Sequence, residues 1–311
     1  MRYVTGIGCL LVLTLFLGCS FFGVNNEPIR YRDNDRAQTD VQILQALNQN
    51  SARINALDCS QVEIDCKQGG NSVTPVGWMT CQKPRSFCLK AKAVGKDAVY
   101  MGSNSDEFWF WVKDSTYLYH CSWDALQRGG IQGMPFPFQP EWLMQVMGMS
   151  TFDEDPKKYT ISNKDGMLVF EQPAQTPSGE PMKKVMIVDR MKQYQGVPVV
   201  KEFQLQDKGG KVICSAVIAQ QQYDKEFRAV LPFQVDVKMP AEQTELKFTL
   251  RNAKVVREID RSRADSMFSR KNLAWATFDL AKGQPDRGGV SDPSVGGATF
   301  RPGQPPPPPT R

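Results

Sequence analysis

The chain has 311 residues, 41% of them hydrophobic, and a formal net charge of +5. That is enough apolar sequence for a substantial core, and the mild, dispersed charge excludes the dense basic stripe of a nucleic-acid binder. A single histidine, His120, excludes a multi-histidine zinc site and leaves one residue for any nucleophilic dyad or triad. No Gly-rich phosphate loop, HExxH helix or nucleophile elbow is present, so no enzyme, cofactor or metal is expected.

Met1-Arg2 opens an apolar run, Val4 to Leu17, that ends in Gly18-Cys19. One positive charge, a long apolar core and a small residue before cysteine form the layout of a bacterial export signal. Leu15-Phe16-Leu17-Gly18 resembles the lipobox of bacterial lipoproteins, although that family prefers leucine at the place of Phe16 and a small residue at the place of Leu17. The leading expectation is a signal peptide over 1–18 with lipidation at Cys19. An uncleaved anchor of about 20 residues, running on through Phe21, Phe22 and Val24, fits the same stretch. So does an ordinary signal peptide with Cys19 a bystander. All three carry the rest of the chain out of the cytoplasm.

Residues 19–38 are polar and aperiodic and read as a flexible tether. Val41, Leu44, Leu47, Ile54 and Leu57 then recur at helical spacing, with Thr39 or Asp40 available as cap. From Ser60 the pattern turns to strands. Val62, Ile64 and Cys66 alternate with polar residues, as do Leu89, Ala91 and Ala93. Phe108-Trp109-Phe110-Trp111-Val112 and Tyr117 to Cys121 are apolar on both faces, so both faces are covered or one lines an apolar cavity. His120 lies within the second of these runs and reads as an ordinary strand residue.

Met134-Pro135-Phe136-Pro137-Phe138 fits neither helix nor central strand. Pro140 then opens a short helix, Trp142 to Met149. Strands follow over Met167–Glu171, Lys184–Asp189, Val199–Gln206, Val212–Gln220, Gln234–Lys238 and Leu246–Leu250, at hairpin spacing, with turns at Ser178-Gly179 and Lys208-Gly209-Gly210. The fold class read from this order is mainly β: one antiparallel meander with two covering helices over 39–281. Residues 282–311, with five consecutive prolines at 305–309, read as a disordered tail with polyproline II character at that last stretch.

Six cysteines remain beyond the export run: Cys59, Cys66, Cys81, Cys88, Cys121 and Cys214. One hairpin register, turning within Gly69 to Gly77, opposes both Cys66 with Cys81 and Cys59 with Cys88. These are the two candidate disulfides, and buried free thiols are the alternative.

The order of elements, Lys83-Pro84-Arg85-Ser86-Phe87, the segment Gly102 to Trp111 and Met134-Pro135-Phe136 together resemble the LolA/LolB-like lipoprotein carrier and receptor superfamily, over residues 39 to 280. The resemblance implies an incomplete antiparallel β-barrel with helices acting as a lid over an apolar face that holds acyl chains. Lys83, Pro84 and Phe87 are the motif positions. Lys83 stands where the carrier has an arginine that helps hold the lid, and lysine lacks the planar fork of arginine. The implied lid residues are Leu44, Leu47 and Ile54 on the first helix and Trp142, Leu143 and Met147 on the second. The wall candidates are Phe108, Trp109, Phe110, Val112, Trp111, Tyr117 and Tyr119. In the family's sorting rule Ser20, after Cys19, carries no inner-membrane instruction, so the outer membrane is the default. The leading function is a membrane-anchored, non-enzymatic envelope lipoprotein that binds acyl chains of a lipid or lipoprotein. The alternative is an envelope module of the same fold that binds or senses a protein partner.

Overall fold

A computed structural model describes residues 31–33, 37–131, 134, 140–271, 273 and 275–286. The export run with Cys19, most of the tether, Pro135–Phe138 and the tail beyond Asp286 lie outside the described residues.

A two-residue strand β1 (Arg32–Asp33) and helix α1 (Asp40–Ala52) lead into a first meander: β2 (Ala56–Gln68), β3 (Asn71–Val73), β4 (Val76–Gln82), β5 (Ser86–Ala93), β6 (Lys96–Ser103), β7 (Glu107–Val112) and β8 (Leu118–Ser122). Helices α2 (Trp123–Arg128) and α3 (Pro140–Val146) and a 3-10 turn (Pro156–Lys158) carry the chain to a second meander. Its strands are β9 (Thr160–Lys164), β10 (Met167–Gln175), β11 (Pro181–Tyr194), β12 (Val197–Asp207), β13 (Val212–Asp224), β14 (Ala229–Met239) and β15 (Thr244–Val256). Helix α4 (Arg261–Met267), β16 (Thr277–Asp279) and β17 (Gln284–Pro285) follow.

The two meanders join in one large open antiparallel sheet. β15 pairs with β2 from Val256 opposite Ala56 to Thr244 opposite Gln68, so the last strand of the second meander lies beside the first strand of the first. The sheet does not close: β9 stands at one side and the β16–β17 hairpin at the other. β16 runs parallel to β8, the one departure from the antiparallel pattern expected from hairpin spacing. Several hairpins turn through a residue-glycine pair with positive φ at both positions, among them Asp165-Gly166 (51°, 79°) and Gln195-Gly196 (52°, 81°). That conformation matches the twist of the strands it joins.

Helix α1 begins with a reciprocal capping box: the Thr39 hydroxyl accepts from Gln42 N, and the Gln42 side chain accepts from Thr39 N. It ends at Ala52, short of the expected Leu57. Arg53 caps it, Ile54 packs beneath its end and Leu57 already belongs to β2. Spacing of three between apolar residues does not distinguish a last helical turn from entry into a strand.

The main core lies between α1, α3 and one face of the sheet. Ile43, Leu44 and Leu47 of α1, and Trp142, Met144 and Val146 of α3, pack on inward residues of β2, β4, β5 and β10–β15. Burying each large side chain contributes about 1.5–3 kcal/mol, against about 1 kcal/mol for a hydrogen bond, so apolar contact is what seats the helices. Two further clusters flank β6–β8. On one face Phe108, Phe110 and Cys121 pack with Trp123 and Leu126 of α2, Ile131 and Leu280. On the other, Cys88, Tyr100, Trp109 and Leu118 pack with Ile259, Met267 and Phe268, and Trp275 stacks on Trp111 at 5.0 Å. The strands that read as apolar on both faces are therefore covered on both.

The expected cysteine pairings are not formed. The turn sits at Gly69-Gly70, both at positive φ, rather than at the middle of 69–77. This places Cys66 opposite Val73, Cys81 opposite Leu57 and Phe87, Cys59 opposite Met79, and Cys88 opposite Thr80 and Gly102. A bulge between Cys59 and Val62 then switches which residues of β2 point inward. All six cysteines are free thiols. Burial pushes their pKa values up, to about 11 for Cys59 and Cys121 and about 12 for Cys88 and Cys214. They behave as small apolar residues.

Residues 282–286, assigned by composition to the tail, turn back onto β16: Gly283 N donates to Asp279 O and Asp286 N to Thr277 O. Arg32 and Asp33 of the expected tether pair with Gln193 and Lys192.

Candidate functional site

The main core is not filled to its end. A cleft of about 50 Å3 opens between the C-terminal turns of α1 and α3 and strands β12–β14, lined by Leu47, Gln145, Phe152, Val200, Val230 and Leu231. A second recess of about 20 Å3 lies beneath α3, lined by Trp142, Phe170, Gln172, Lys184 and Met186. The two share Gln145, Phe152 and Phe203, so they are neighbouring gaps under one roof. A water needs about 10–15 Å3 and a ligand pocket spans about 300–1,000 Å3; as it stands the space admits water and no acyl chain.

The roof is fastened at few polar points. Asn50 Nδ2 donates to Val230 O at 2.9 Å and Val230 N donates to Asn50 Oδ1 at 2.8 Å, a reciprocal pair that ties α1 to β14. Asn48 makes a similar pair with the backbone of Phe152 beyond α3. Lys83 Nζ donates to Ser51 O at 2.7 Å and to Ser51 Oγ at 3.0 Å. Its ammonium thus meets the carbonyl end of α1, where the helix dipole favours a cation. Burial lowers the Lys83 pKa. The Lys83–Pro84 bond is cis, and Phe87 is buried in the main core.

Of the lid candidates, Leu44, Leu47, Ile54, Trp142 and Met147 are buried in this core and Leu143 packs against it. Leu47 and Trp142 also line the gaps. The wall candidates lie elsewhere. Phe108 and Phe110 belong to the cluster under α2, where Tyr119 stacks on Phe110 at 5.3 Å and Tyr117 meets Phe278. Trp109 and Trp111 face the C-terminal segment, and Val112 is exposed. None of them lines either gap.

Three polar groups in this region went unnoticed in the sequence. Gln221 is 9% exposed, lines the cleft, and its Oε1 has no hydrogen-bond partner among the described residues. Glu141, at the start of α3, has a buried Oε2 in the same condition, while its Oε1 lies 3.4 Å from Arg85 Nε. Burial raises the Glu141 pKa, against the pull of its own backbone N–H, Arg85 and Lys184. Lys184 occupies an inward position of β11, opposite Gln172 and Leu205 and between the buried Met182 and Met186. Burial depresses its pKa, and Glu141 partly restores it. Two adjacent lysines followed by the continuous apolar run Val185 to Val188 give no alternation from which an inward Lys184 could be read.

His120 lies outside this region, on the face covered by the C-terminal segment. Its Nε2 is 2.8 Å from Asp286 Oδ2 and its Nδ1 is 3.5 Å from Glu107 Oε2. Asp279 is close enough to complete a group with metal-ligand spacing. Arg270 bonds Glu107 at 2.8 Å and Lys282 bonds Asp279 at 2.7 Å, so the carboxylates already have cationic partners. Neither of the two gaps is lined by this network, and it reads as the fastening of the β16–β17 hairpin. Among the described residues no helix is long and apolar enough to cross a membrane.

No protein-family model matches the chain, and no curated protein matches it. Solved structures do. The chain is similar to a DUF1329 family protein from Desulfovibrio piger ATCC 29098, at 11% identity and TM-score 0.44, over 73% of this chain and 98% of that one. It is similar to a putative outer membrane lipoprotein-sorting protein domain from Vibrio parahaemolyticus, at 12% identity and TM-score 0.47, over 73% and 98%. It is similar to a LolA superfamily protein from Nitrosomonas europaea, at 9% identity and TM-score 0.46, over 76% and 100%.

Proposed function

We propose that this protein is a non-enzymatic binder of acyl chains in the bacterial envelope, which takes the chain of a lipid or lipoprotein between its sheet and the α1–α3 roof. One observation carries the reading: a continuous apolar sheet face is roofed by two short helices, held by apolar contact and a few hydrogen bonds, over gaps that adjoin each other. Both helices move away for a chain to enter. Methionines at Met144, Met147, Met182 and Met186 fill the space beneath the roof, and their unbranched side chains repack at little cost around a guest. Lys83 and Asn50 serve as the latches of α1. The protein is tethered through a lipidated Cys19, in the outer membrane and facing the periplasm.

A second reading, a protein-binding or sensing module of the same fold, draws on the size of the cleft, about 50 Å3, which admits nothing larger than water unless the roof moves. Mass spectrometry of an organic extract of protein purified from its own membrane separates the two. Acyl lipid near one per protein is the expected result; protein free of lipid overturns the first reading in favour of the second. Replacing Cys19→Ser is expected to release the protein from the membrane fraction, and retention there contradicts the tether.

A further inference from the structure

A lysine on the inward face of a buried strand needs an explanation. Lys184 projects on the same side as Met182, Met186, Phe170 and Phe203, in the ladder row Gln172–Lys184–Leu205. Lys184 is half-buried, and an ammonium drawn partly out of water onto an apolar face loses hydration that only a partner restores. Among the described residues its ammonium makes no hydrogen bond and no ion pair within 4.0 Å; Glu141 attracts it from a longer range. Glu141 in turn is engaged by Arg85. Two cations therefore face one carboxylate, and the cation left over is the one lining the gap beneath α3.

We propose that Lys184 is the head-group contact of the cleft: its Nζ takes a terminal anionic oxygen of a ligand whose hydrocarbon runs past Phe203 and Gln145 toward Leu47 and Val230. This deepens the acyl-binding reading and rests on it. The shared chemistry is an anionic oxygen at the end of an alkyl chain, whether carboxylate or phosphate ester. Gln172, beside Lys184 in the ladder, supplies an amide to the same head. Neighbouring Lys183 faces the other way and is paired with Glu171 at 2.8 Å, so it serves as an internal control.

The test is equilibrium binding to the full chain in nanodiscs of zwitterionic lipid, with empty nanodiscs subtracted. The probes are laurate, lauryl phosphate and the uncharged lauryl alcohol. At least one of the two anions is expected to bind about tenfold or more tightly than the alcohol, and the tighter anion identifies the head as carboxylate or phosphate. Lys184→Met is expected to remove that preference while alcohol binding persists; Lys183→Met is expected to keep it. If wild-type protein binds all three probes equally, or if Lys183→Met abolishes the preference as fully as Lys184→Met, the head-group assignment falls while acyl binding stands. If no probe binds, the acyl-binding reading fails and this inference with it. Lys184→Gln, which keeps a polar side chain at the position, carries the same comparison if Lys184→Met does not fold: loss of the anion preference supports the assignment and its retention overturns it.

Discussion

The β5–β8 half of the sheet and the β10–β14 half are both apolar inside, and they are packed in different ways. Around β6–β8 one face is covered by α2 with Leu280 and the other by the segment from Ile259 to Trp275. Flat rings fill the space: Trp111 on Trp275, Phe110 on Tyr119, Phe108 against Trp123. Gly102 is glycine because a Cβ there would lie 2.4 Å from the Trp109 ring. Around β10–β14 the inward residues are valines, leucines, methionines and single phenylalanines, and the roof leaves gaps. Rigid aromatic packing on two faces belongs to the part that holds its shape. Packing with methionines on one face, an inward lysine and two oxygens without a hydrogen-bond partner among the described residues belong to the part whose packing is incomplete.

The contrast is easiest to break by mutation. Trp109→Ala is expected to lower stability by about 3–5 kcal/mol, read from urea unfolding, whereas Met186→Leu on the other half costs less than about 1.5 kcal/mol. Equal losses would mean that the halves are equally rigid. Asn50→Ala strands the buried N–H and C=O of Val230 and is expected to cost about 1–3 kcal/mol. Hydrogen exchange should accelerate in α1 while β7 stays protected; uniform acceleration would show that the roof and the sheet open together. Lys83→Ala is expected to cost about 1 kcal/mol and to be recovered by Lys83→Arg in a thermal melt, since either cation reaches the Ser51 carbonyl.

The smallest effect expected is one of pH, and its sign differs between the halves. Asp58 is held below the usual carboxylate range by the Arg263 side chain first, with Thr80 adding to it against the cost of burial. At Glu107 and Asp286 burial acts the other way but is outweighed: by His120 and Arg270 at Glu107, and by Thr277, His120 and Arg270 at Asp286. A depressed folded pKa stabilises above the unfolded value, near 4, and that stability is lost as pH falls through the folded value. Acid is therefore expected to loosen the segment carrying α4, Trp275 and β16–β17, seen as loss of near-ultraviolet circular dichroism. Glu141 has a raised pKa, so its burial penalty is absent below about 4 and grows as pH rises toward the folded value. Glu141→Gln should remove that penalty at neutral pH. An unchanged midpoint would show that the Glu141 carboxylate is not strained there.

Much of this fold is legible along the chain. The strands of the second meander from β10 to β15 were expected from apolar runs at hairpin spacing, β9 was not, and Thr39 as a cap follows from its place before an apolar stripe. The aromatic strand showed that both faces are apolar but not what covers them. The cover, Ile259, Met267, Phe268 and Trp275, lies in a segment whose apolar residues are too scattered to announce a partner. The cysteine register failed for a local reason: Gly69-Gly70 supplies the turn on its own, and the bulge at Ser60-Gln61 then shifts the phase of β2. The site was half legible. The lid residues stand in the main core, while the most conspicuous aromatics, Phe108 to Trp111, are scaffold. Lys184 was hidden among the surface lysines of its neighbourhood because inward and outward positions are known only once the register is.

The seam between β2 and β15 has a consequence for how the molecule forms. A chain made from its amino end can pair β2 with β4 early. The other edge of β2 stays bare until residues 244–256 exist and arrive. Pairing partners so distant in sequence make for slow folding, because the loop between them must be closed before it is rewarded. Until then a long unpaired strand edge is available to chaperones and to other chains.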